Sequence, residues 1–198
     1  MPSVDLAVTL FAGNLTLRLP RMDDVARITQ LRQDEEIARW TRVPSPYTSQ
    51  HAEQFVSFAR AEAEKGAGAH LCVCDQDDLI IGSCGLLQID WSDLVAEVGY
   101  WVGADARGRG VATASARAVC EWAFQELGME RLQLHAAALN AASNAVARAL
   151  GFVLEGTERQ GAIVGHTGRM GSTRVDLHLY GLLPGELTPP ASDPISPA

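Results

Sequence analysis

The sequence lacks the features of a membrane-spanning or secreted protein. Among its 198 residues, no apolar run approaches the ~18 residues that a membrane span needs. The N-terminal segment from Met1 to Thr9 carries Asp5 and no positively charged region, which argues against a secretory signal. We therefore expect a cytoplasmic protein that has no membrane partner.

Positive charge is also scarce. The chain has 16 Lys and Arg against 24 Asp and Glu, so its net charge is −8, and its isoelectric point is about 5.0. An acidic surface repels phosphate backbones, so we expect no nucleic acid partner. The same charge favours a cationic substrate such as an amine, although many acidic proteins carry it for solubility alone.

The four cysteines form neither a metal pattern nor a disulfide pattern. Cys72 and Cys74 are two residues apart in an apolar segment, so in a strand they would point the same way. No second Cys pair and no His-x-x-x-His spacing supplies further ligands. We predict buried, reduced thiols and no metal site.

The composition is that of one soluble globular domain, since 47% of the residues are hydrophobic and the mean hydropathy is +0.02. The order of predicted strands and helices indicates a mixed α/β domain. Alternating or clustered apolar residues predict strands at Leu15–Leu19, His70–Cys74, Leu79–Ile89, Val95–Val102, Leu132–Ala136, from Phe152 onward, and Arg174–Leu182. Capping residues and apolar spacing of three and four predict helices at Asp23–Gln33, Ser49–Lys65, Val111–Leu127 and Ser143–Leu150. The segment from Trp40 to Tyr47 contains two prolines and is predicted to be a loop.

The predicted domain spans residues 10–183. An N-terminal extension, residues 1–9, precedes it. The tail that follows Leu183, residues 184–198, contains five prolines among polar residues, so we predict that it is disordered.

The stretch Arg107-Gly108-Arg109-Gly110 lies between an apolar strand and a predicted helix that opens with Val111-Ala112-Thr113. Unpaired N–H groups at a helix start, together with the helix dipole, form an anion site. The glycines let the backbone approach a bulky anion, and the arginines add charge. The pattern predicts a diphosphate site, with a plain helix entry carrying solubilising arginines as the alternative.

Two common nucleotide-binding patterns are absent. No Gly-x-x-x-x-Gly-Lys-Ser/Thr motif occurs. A dinucleotide fingerprint needs three glycines directly after the first strand, whereas here only Gly108-x-Gly110 fits and Thr113 occupies the third position. A nucleotide-dependent enzyme stays as a rival hypothesis, which predicts that ATP or NAD binds in preference to coenzyme A.

Arg107-x-x-Gly110-x-Ala112 resembles the Gln/Arg-x-x-Gly-x-Gly/Ala signature of the GNAT acetyltransferase superfamily, which binds the coenzyme A pyrophosphate. The preceding stretch, Ala96 to Val102, is similar to the fourth strand of that superfamily. Further stretches resemble its RimJ/RimL-like, ribosomal-protein-alanine acetyltransferase branch: Trp40-Thr41…Pro44-x-Pro46-Tyr47, Asn140-Ala-Ala-Ser143-Asn144, Ala149-Leu150-Gly151-Phe152, Leu154-Glu155-Gly156, and Asp176 before Tyr180. The resemblance covers roughly Leu15 to Leu183.

The resemblance implies a single GNAT-type domain with a mixed, mostly antiparallel sheet of about six or seven strands and about four helices. Strands Val95–Val102 and Leu132–Ala136, the family's fourth and fifth, would splay apart and admit pantetheine. The implied function is an N-acyltransferase, which moves an acetyl (or succinyl or other acyl) group from coenzyme A to a primary amine of a protein N-terminus or small molecule. The co-substrate is then acetyl-CoA, without a metal. The alternative is a sensor that binds acyl-CoA without turnover, and a homodimer is among the arrangements that the resemblance allows.

The resemblance also implies the site residues. Coenzyme contacts carry over to Trp101, Val102, Arg107, Gly108, Arg109, Gly110, Val111, Ala112, Thr113, Asn140 and Ser143. Glu97 is the expected base, acting through water, with a solvated strand glutamate as the alternative. Ser143 is the expected acid or hydrogen-bond donor at the sulfur, although Asn140 or Ser143 could simply cap the helix. Trp40 and Tyr47 are expected to shape the acceptor pocket or to pack structurally.

The chain departs from the ribosomal branch at one position. Where that branch has a further glutamate after Leu-Glu-Gly, this chain has Ala162, and the following segment is longer and richer in glycine. We interpret Gly161 to Arg174 as a loop that lines the acceptor site, or else as surface disorder. For His135, on the fifth strand near the site, the sequence favours a satisfied strand histidine over a catalytic one.

Overall fold

The computed structural model describes residues 4–165 and 173–189. Its strands are β1 Leu10–Ala12, β2 Leu15–Arg18, β3 Ala69–Cys74, β4 Ile80–Asp90, β5 Val95–Val102, β6 Arg131–Ala137, β7 Val153–Val164 and β8 Thr173–Leu182. Its α-helices are α1 Val25–Leu31, α2 Glu35–Trp40, α3 Ser49–Lys65, α4 Val111–Gln125 and α5 Ala141–Leu150. None of these helices is long and apolar enough to cross a bilayer.

The strands form one mixed sheet in the order β1-β2-β3-β4-β5-β6-β8-β7. Every neighbouring pair is antiparallel except β5 and β6, which run parallel. This confirms the predicted α/β architecture. The sequence analysis missed β1 and α2, because three and six residues are too few to show a strand or helix period. Asp34 marks the start of α2, since its side chain accepts a hydrogen bond from the Glu36 N–H at 2.8 Å.

Helices cover both faces of the sheet. Helices α4 and α5 pack on one face, where Leu71 and Val73 meet buried α4 residues such as Val119. On the opposite face, Cys72 and Cys74 contribute to a second apolar cluster together with buried residues of α1, α2 and α3. All four cysteines are buried and free, as predicted: Cys72, Cys74 and Cys84 lie on strands whose residues enter one core or the other, and Cys120 lies on the buried face of α4.

The parallel pair β5 and β6 separates along its length. The two strands pair only from Val95 opposite Arg131 to Glu97 opposite Gln133. Beyond Glu97, β5 stays paired with β4 as far as Val102, and β6 stays paired with β8 as far as Ala137. The facing edges of β5 and β6 therefore diverge into a V, which is the predicted splay.

The C-terminal region differs from its prediction. Leu187 packs against the core, and the Thr188 N–H donates to the Leu150 carbonyl at 3.0 Å, while Arg117 donates to the Thr188 carbonyl. Residues 184–189 are therefore held against the domain, and only 190–198 of the predicted tail lie outside the described residues. Part of the predicted loop from Gly161 to Arg174 is strand, because β7 continues to Val164 and β8 begins at Thr173. Residues 166–172 lie outside the described residues.

These contacts predict that the two parts of the tail differ in their effect on stability. Deleting residues 184–198 should lower the free energy of unfolding by about 2 kcal/mol, because the partly buried Leu187 and the hydrogen bonds of Glu186 and Thr188 are lost. Deleting only residues 190–198 should leave it unchanged within about 0.5 kcal/mol. Urea unfolding of both truncations measures the difference, and equal stability of the two would contradict the role of residues 184–189.

Candidate active site

The loop between β5 and α4 presents backbone N–H groups to open space. Gly110 is the N-cap of α4 with φ +75° and provides no side-chain cap; Gly108 has φ +71°. A Cβ atom built on either glycine would meet nothing within 4 Å. The first N–H groups of α4 have no partner within the helix, so they form an anion site at the N-terminus of a 15-residue helix.

The two loop arginines lie on different sides of the loop. The Arg107 guanidinium donates from Nε to the Val102 carbonyl at 3.1 Å and pairs with Asp34 at 2.7 Å. It therefore braces the loop against the end of β5 and the N-cap of α2. Arg109 lines a separate cavity of about 400 Å³ together with Arg27 and is absent from the lining of the cleft between the splayed strands; its predicted contact with the coenzyme stays a prediction.

A cleft of about 710 Å³ fills the V between β5 and β6. Its lining includes most of the predicted site residues: Trp40, Glu97, Trp101, Val102, Arg107, Gly108, Gly110, Val111, Ala112, Thr113, Asn140 and Ser143. Residues from four separate stretches of the chain, which lie between residues 36 and 41, 97 and 102, 106 and 113, and 134 and 146, thus meet at one cleft. Its base is the glycine loop, and one wall is the β5 edge beyond Glu97.

Tyr47 lies in the core and not at the cleft. It is 6% exposed within the apolar cluster of α1, α2 and α3. The Arg32 guanidinium lies 5.8 Å from its ring and 4.4 Å from the ring of Trp101, and burial lowers the pKa of Arg32 to about 10. The structure therefore places Tyr47 in a packing role, as a support behind Trp101, instead of in the acceptor pocket.

The α5 side of the cleft carries a pair of hydroxyl groups. Asn140 caps α5, because its Oδ1 accepts from the Ser143 N–H at 3.1 Å. The Ser143 hydroxyl lies 2.9 Å from the Tyr100 hydroxyl. Sequence reasoning missed Tyr100, although alternation along a strand places residue 100 on the face opposite Glu97. Burial raises the pKa of Tyr100, so its hydroxyl keeps its proton at neutral pH.

A buried amide holds this wall in place from behind. The Asn144 Nδ2 group donates to the carbonyls of Asn140 and Ala137 at 2.7 and 3.0 Å. Its Oδ1 accepts from the Tyr180 hydroxyl at 2.7 Å and from Nδ1 of His178 at 2.8 Å. Asn144 thereby ties the end of β6 and the start of α5 to β8, which sets the positions of Asn140 and Ser143.

Two carboxylates, those of Glu36 and Glu97, also line the cleft. Glu97 Oε1 lies 3.2 Å from His135 Nδ1, and the hydrogen bond with Glu97 raises the pKa of His135 against the opposing effect of burial. Glu36 lines the cleft as well and accepts from Trp40 Nε1 at 3.0 Å. Ala162, where the ribosomal branch has a glutamate, is buried on β7.

This geometry fits an extended thioester that ends in a diphosphate. The unpaired β5 edge can hydrogen-bond to pantetheine amides, and the α4 N–H groups can bind the phosphates. Trp101 is 8% exposed, so it faces the cleft mainly through its backbone. Among the described residues no group of three or more potential metal ligands occurs.

Comparison with known proteins agrees with this reading of the cleft. The family profile described as acetyltransferase (GNAT) domain matches residues 14–153. The chain is 29% identical over 157 residues to the Putative ribosomal N-acetyltransferase YdaF of Bacillus subtilis (strain 168), covering 76% of this chain and 84% of YdaF. It is 26% identical over 180 residues to the Uncharacterized N-acetyltransferase p20 of Bacillus licheniformis, covering 90% of this chain and 97% of p20.

A solved structure shares the fold. Mycobacterium smegmatis RimJ in complex with CoA-disulfide superposes with a TM-score of 0.81 at 23% identity, over 91% of this chain and 90% of that chain. The fold and the family profile together define an acyl-CoA-dependent N-acetyltransferase. The chain belongs to the GNAT acetyltransferase family, and its co-substrate is acetyl-CoA or another acyl-CoA.

Proposed function

We propose that this N-acetyltransferase acts on the N-terminal amino group of a protein. The observation that carries the proposal is the pair of carboxylates in the cleft lining. Glu36 and Glu97 line the same cleft as Arg107 and the α4 N-terminus, where the coenzyme phosphates would bind. Carboxylates attract a cationic ammonium group before it loses its proton. YdaF, a relative, carries a ribosomal N-acetyltransferase name, which supports a protein acceptor.

In this proposal the acetyl group passes directly from the thioester to the amine, and different cleft residues assist each part of the reaction. The amine nitrogen forms a bond to the thioester carbon, the C–S bond breaks with its electron pair on sulfur, and the amine loses one proton. The β5 backbone around Trp101 and Val102 stabilises the carbonyl oxygen. Ser143, backed by the Tyr100 hydroxyl at 2.9 Å, donates a hydrogen bond to the leaving sulfur, and the Glu97–His135 pair receives the amine proton.

The test uses matched peptides with acetyl-CoA. Each peptide begins with Ala, Ser or Met, contains one internal lysine, and is prepared with a free or a formylated N-terminus. We expect thiol release with the free peptides only, and tandem mass spectrometry should place the acetyl group on the N-terminal nitrogen. Lysine acetylation of the formylated peptides, or faster turnover of spermidine, would refute the protein N-terminus as acceptor. Coenzyme A binding without turnover of any amine would favour the sensor.

A further inference from the structure

A histidine and a glutamate meet where the cleft opens. Glu97 is the last β5 residue paired with β6, and His135 lies on β6 two residues beyond Gln133, the partner of Glu97. Both side chains point to the face opposite α4 and α5, and both line the cleft. They are 21% and 24% exposed, so they are partly shielded but remain reachable from the cleft.

The contact determines which histidine nitrogen carries the proton. A carboxylate only accepts hydrogen bonds, so the Nδ1 atom that lies 3.2 Å from Glu97 Oε1 is the N–H donor. In the neutral imidazole Nε2 is then the lone-pair acceptor. No described residue makes a hydrogen bond to Nε2. A carboxylate that holds Nδ1–H in this way orients an imidazole as a base.

We propose that His135 is the general base of the acetyl transfer and that Glu97 is the carboxylate that orients it. This assignment rests on the proposed function and reverses the sequence-based expectation that Glu97 itself is the base. The proton leaves the amine nitrogen for the Nε2 lone pair of His135. The imidazolium that forms is stabilised by Glu97, and it returns its proton to solvent after the product leaves.

The charges around His135 suit this role. Glu97 on β5 and Glu158 on β7 favour its protonated form, whereas Arg42, which follows α2, opposes it. On β8 the neighbouring Leu177 and Leu179 are uncharged. Two carboxylates against one guanidinium make His135 a stronger base than an isolated imidazole. Since only neutral His135 can accept the proton, the rate should rise as the pH increases through its raised pKa.

Two substitutions separate the base from its partner. His135→Asn keeps an N–H donor near Glu97 but has no basic nitrogen, and we expect kcat to fall about 100-fold or more with the KM for acetyl-CoA unchanged. Glu97→Gln keeps an acceptor for Nδ1–H, so we expect a loss of only about 10-fold, with the pH–rate profile displaced to lower pH. Imidazole in the buffer should restore activity to His135→Ala.

His51→Ala changes a histidine at the start of α3, and it should neither lose activity nor respond to imidazole. A loss of 100-fold in Glu97→Gln with near-normal His135→Asn would make Glu97 the base, and near-normal rates in both variants would remove the pair from proton transfer. The kinetics can use any amine that the enzyme acetylates, so a wrong acceptor proposal does not prevent the test.

A titration provides a readout that needs no turnover. NMR of ¹⁵N-histidine-labelled protein, with the His135 signal assigned by its absence in His135→Asn, should show a lower His135 pKa in Glu97→Gln than in the wild type. Identical titrations would show that Glu97 does not act on His135 in solution, which would overturn the proposal independently of the acceptor.

Discussion

Replacing Gly110 by valine should lower kcat/KM for acetyl-CoA by about 10- to 100-fold, because a β-branched residue at φ +75° stores about 1–3 kcal/mol of strain. That strain is relieved by turning the first N–H groups of α4 away from the direction in which they face the cleft. The added side chain also enters the open space in front of Gly110. Initial rates at varied acetyl-CoA and calorimetry with coenzyme A measure the effect.

Gly128 provides the matched control at the other end of α4. It has φ +67°, and a Cβ atom there also meets nothing within 4 Å. Gly128→Val should therefore cost similar stability while leaving the KM for acetyl-CoA within about twofold of the wild type. Equal losses in the two variants would mean that strain alone, and not the anion site, explains the effect at Gly110.

Replacing Asn144 by alanine should lower the free energy of unfolding by about 3 kcal/mol, because several buried polar groups lose their partners. Asn144 is 3% exposed, so water cannot readily replace the amide. The Tyr180 hydroxyl and the His178 ring would both be left unpaired beneath α5. Urea unfolding monitored by fluorescence and circular dichroism gives the change.

Two milder variants calibrate this effect. Tyr180→Phe removes one of the hydrogen bonds and should cost about 1 kcal/mol. Asn140→Ala removes the partly buried cap of α5 and should also cost about 1 kcal/mol. An Asn144→Ala protein as stable as either would show that the buried network does not hold the cleft wall.

Most of the fold could be predicted from the sequence, since the long elements carry strong periodic signals. Helix α4 has apolar residues at helical spacing and glycines at both ends, and β5 is a mostly apolar run of eight residues. Short elements could not be predicted in this way. Missing α2 matters most for the site, because this helix brings Glu36 and Trp40 to the cleft. The tail was misjudged because its composition does not reveal that Leu187 finds a place in the core.

The site was predicted unevenly for a related reason. Local chemistry identifies the glycine loop, because its conformation and its N–H groups arise from consecutive residues. Pairings between distant residues, such as Tyr100 with Ser143 and Glu97 with His135, have no local signal. Tyr47 shows a further limit, since its motif context left a pocket role and a packing role both open, and the tertiary structure places it in the core near Arg32.

By itself, the sequence determined the α/β class, the anion-binding loop and the resemblance to acetyl-CoA-dependent transferases. These follow from residue periodicity, backbone-permissive glycines and motif order, all of which are properties of neighbouring residues. Only the tertiary structure decided which side chains share the cleft, that Arg109 lies outside it, and that His135 contacts Glu97. The physical reason is that β5 and β6 are parallel neighbours joined through α4, so contacts across their V depend on strand register and splay, which no short stretch of sequence encodes.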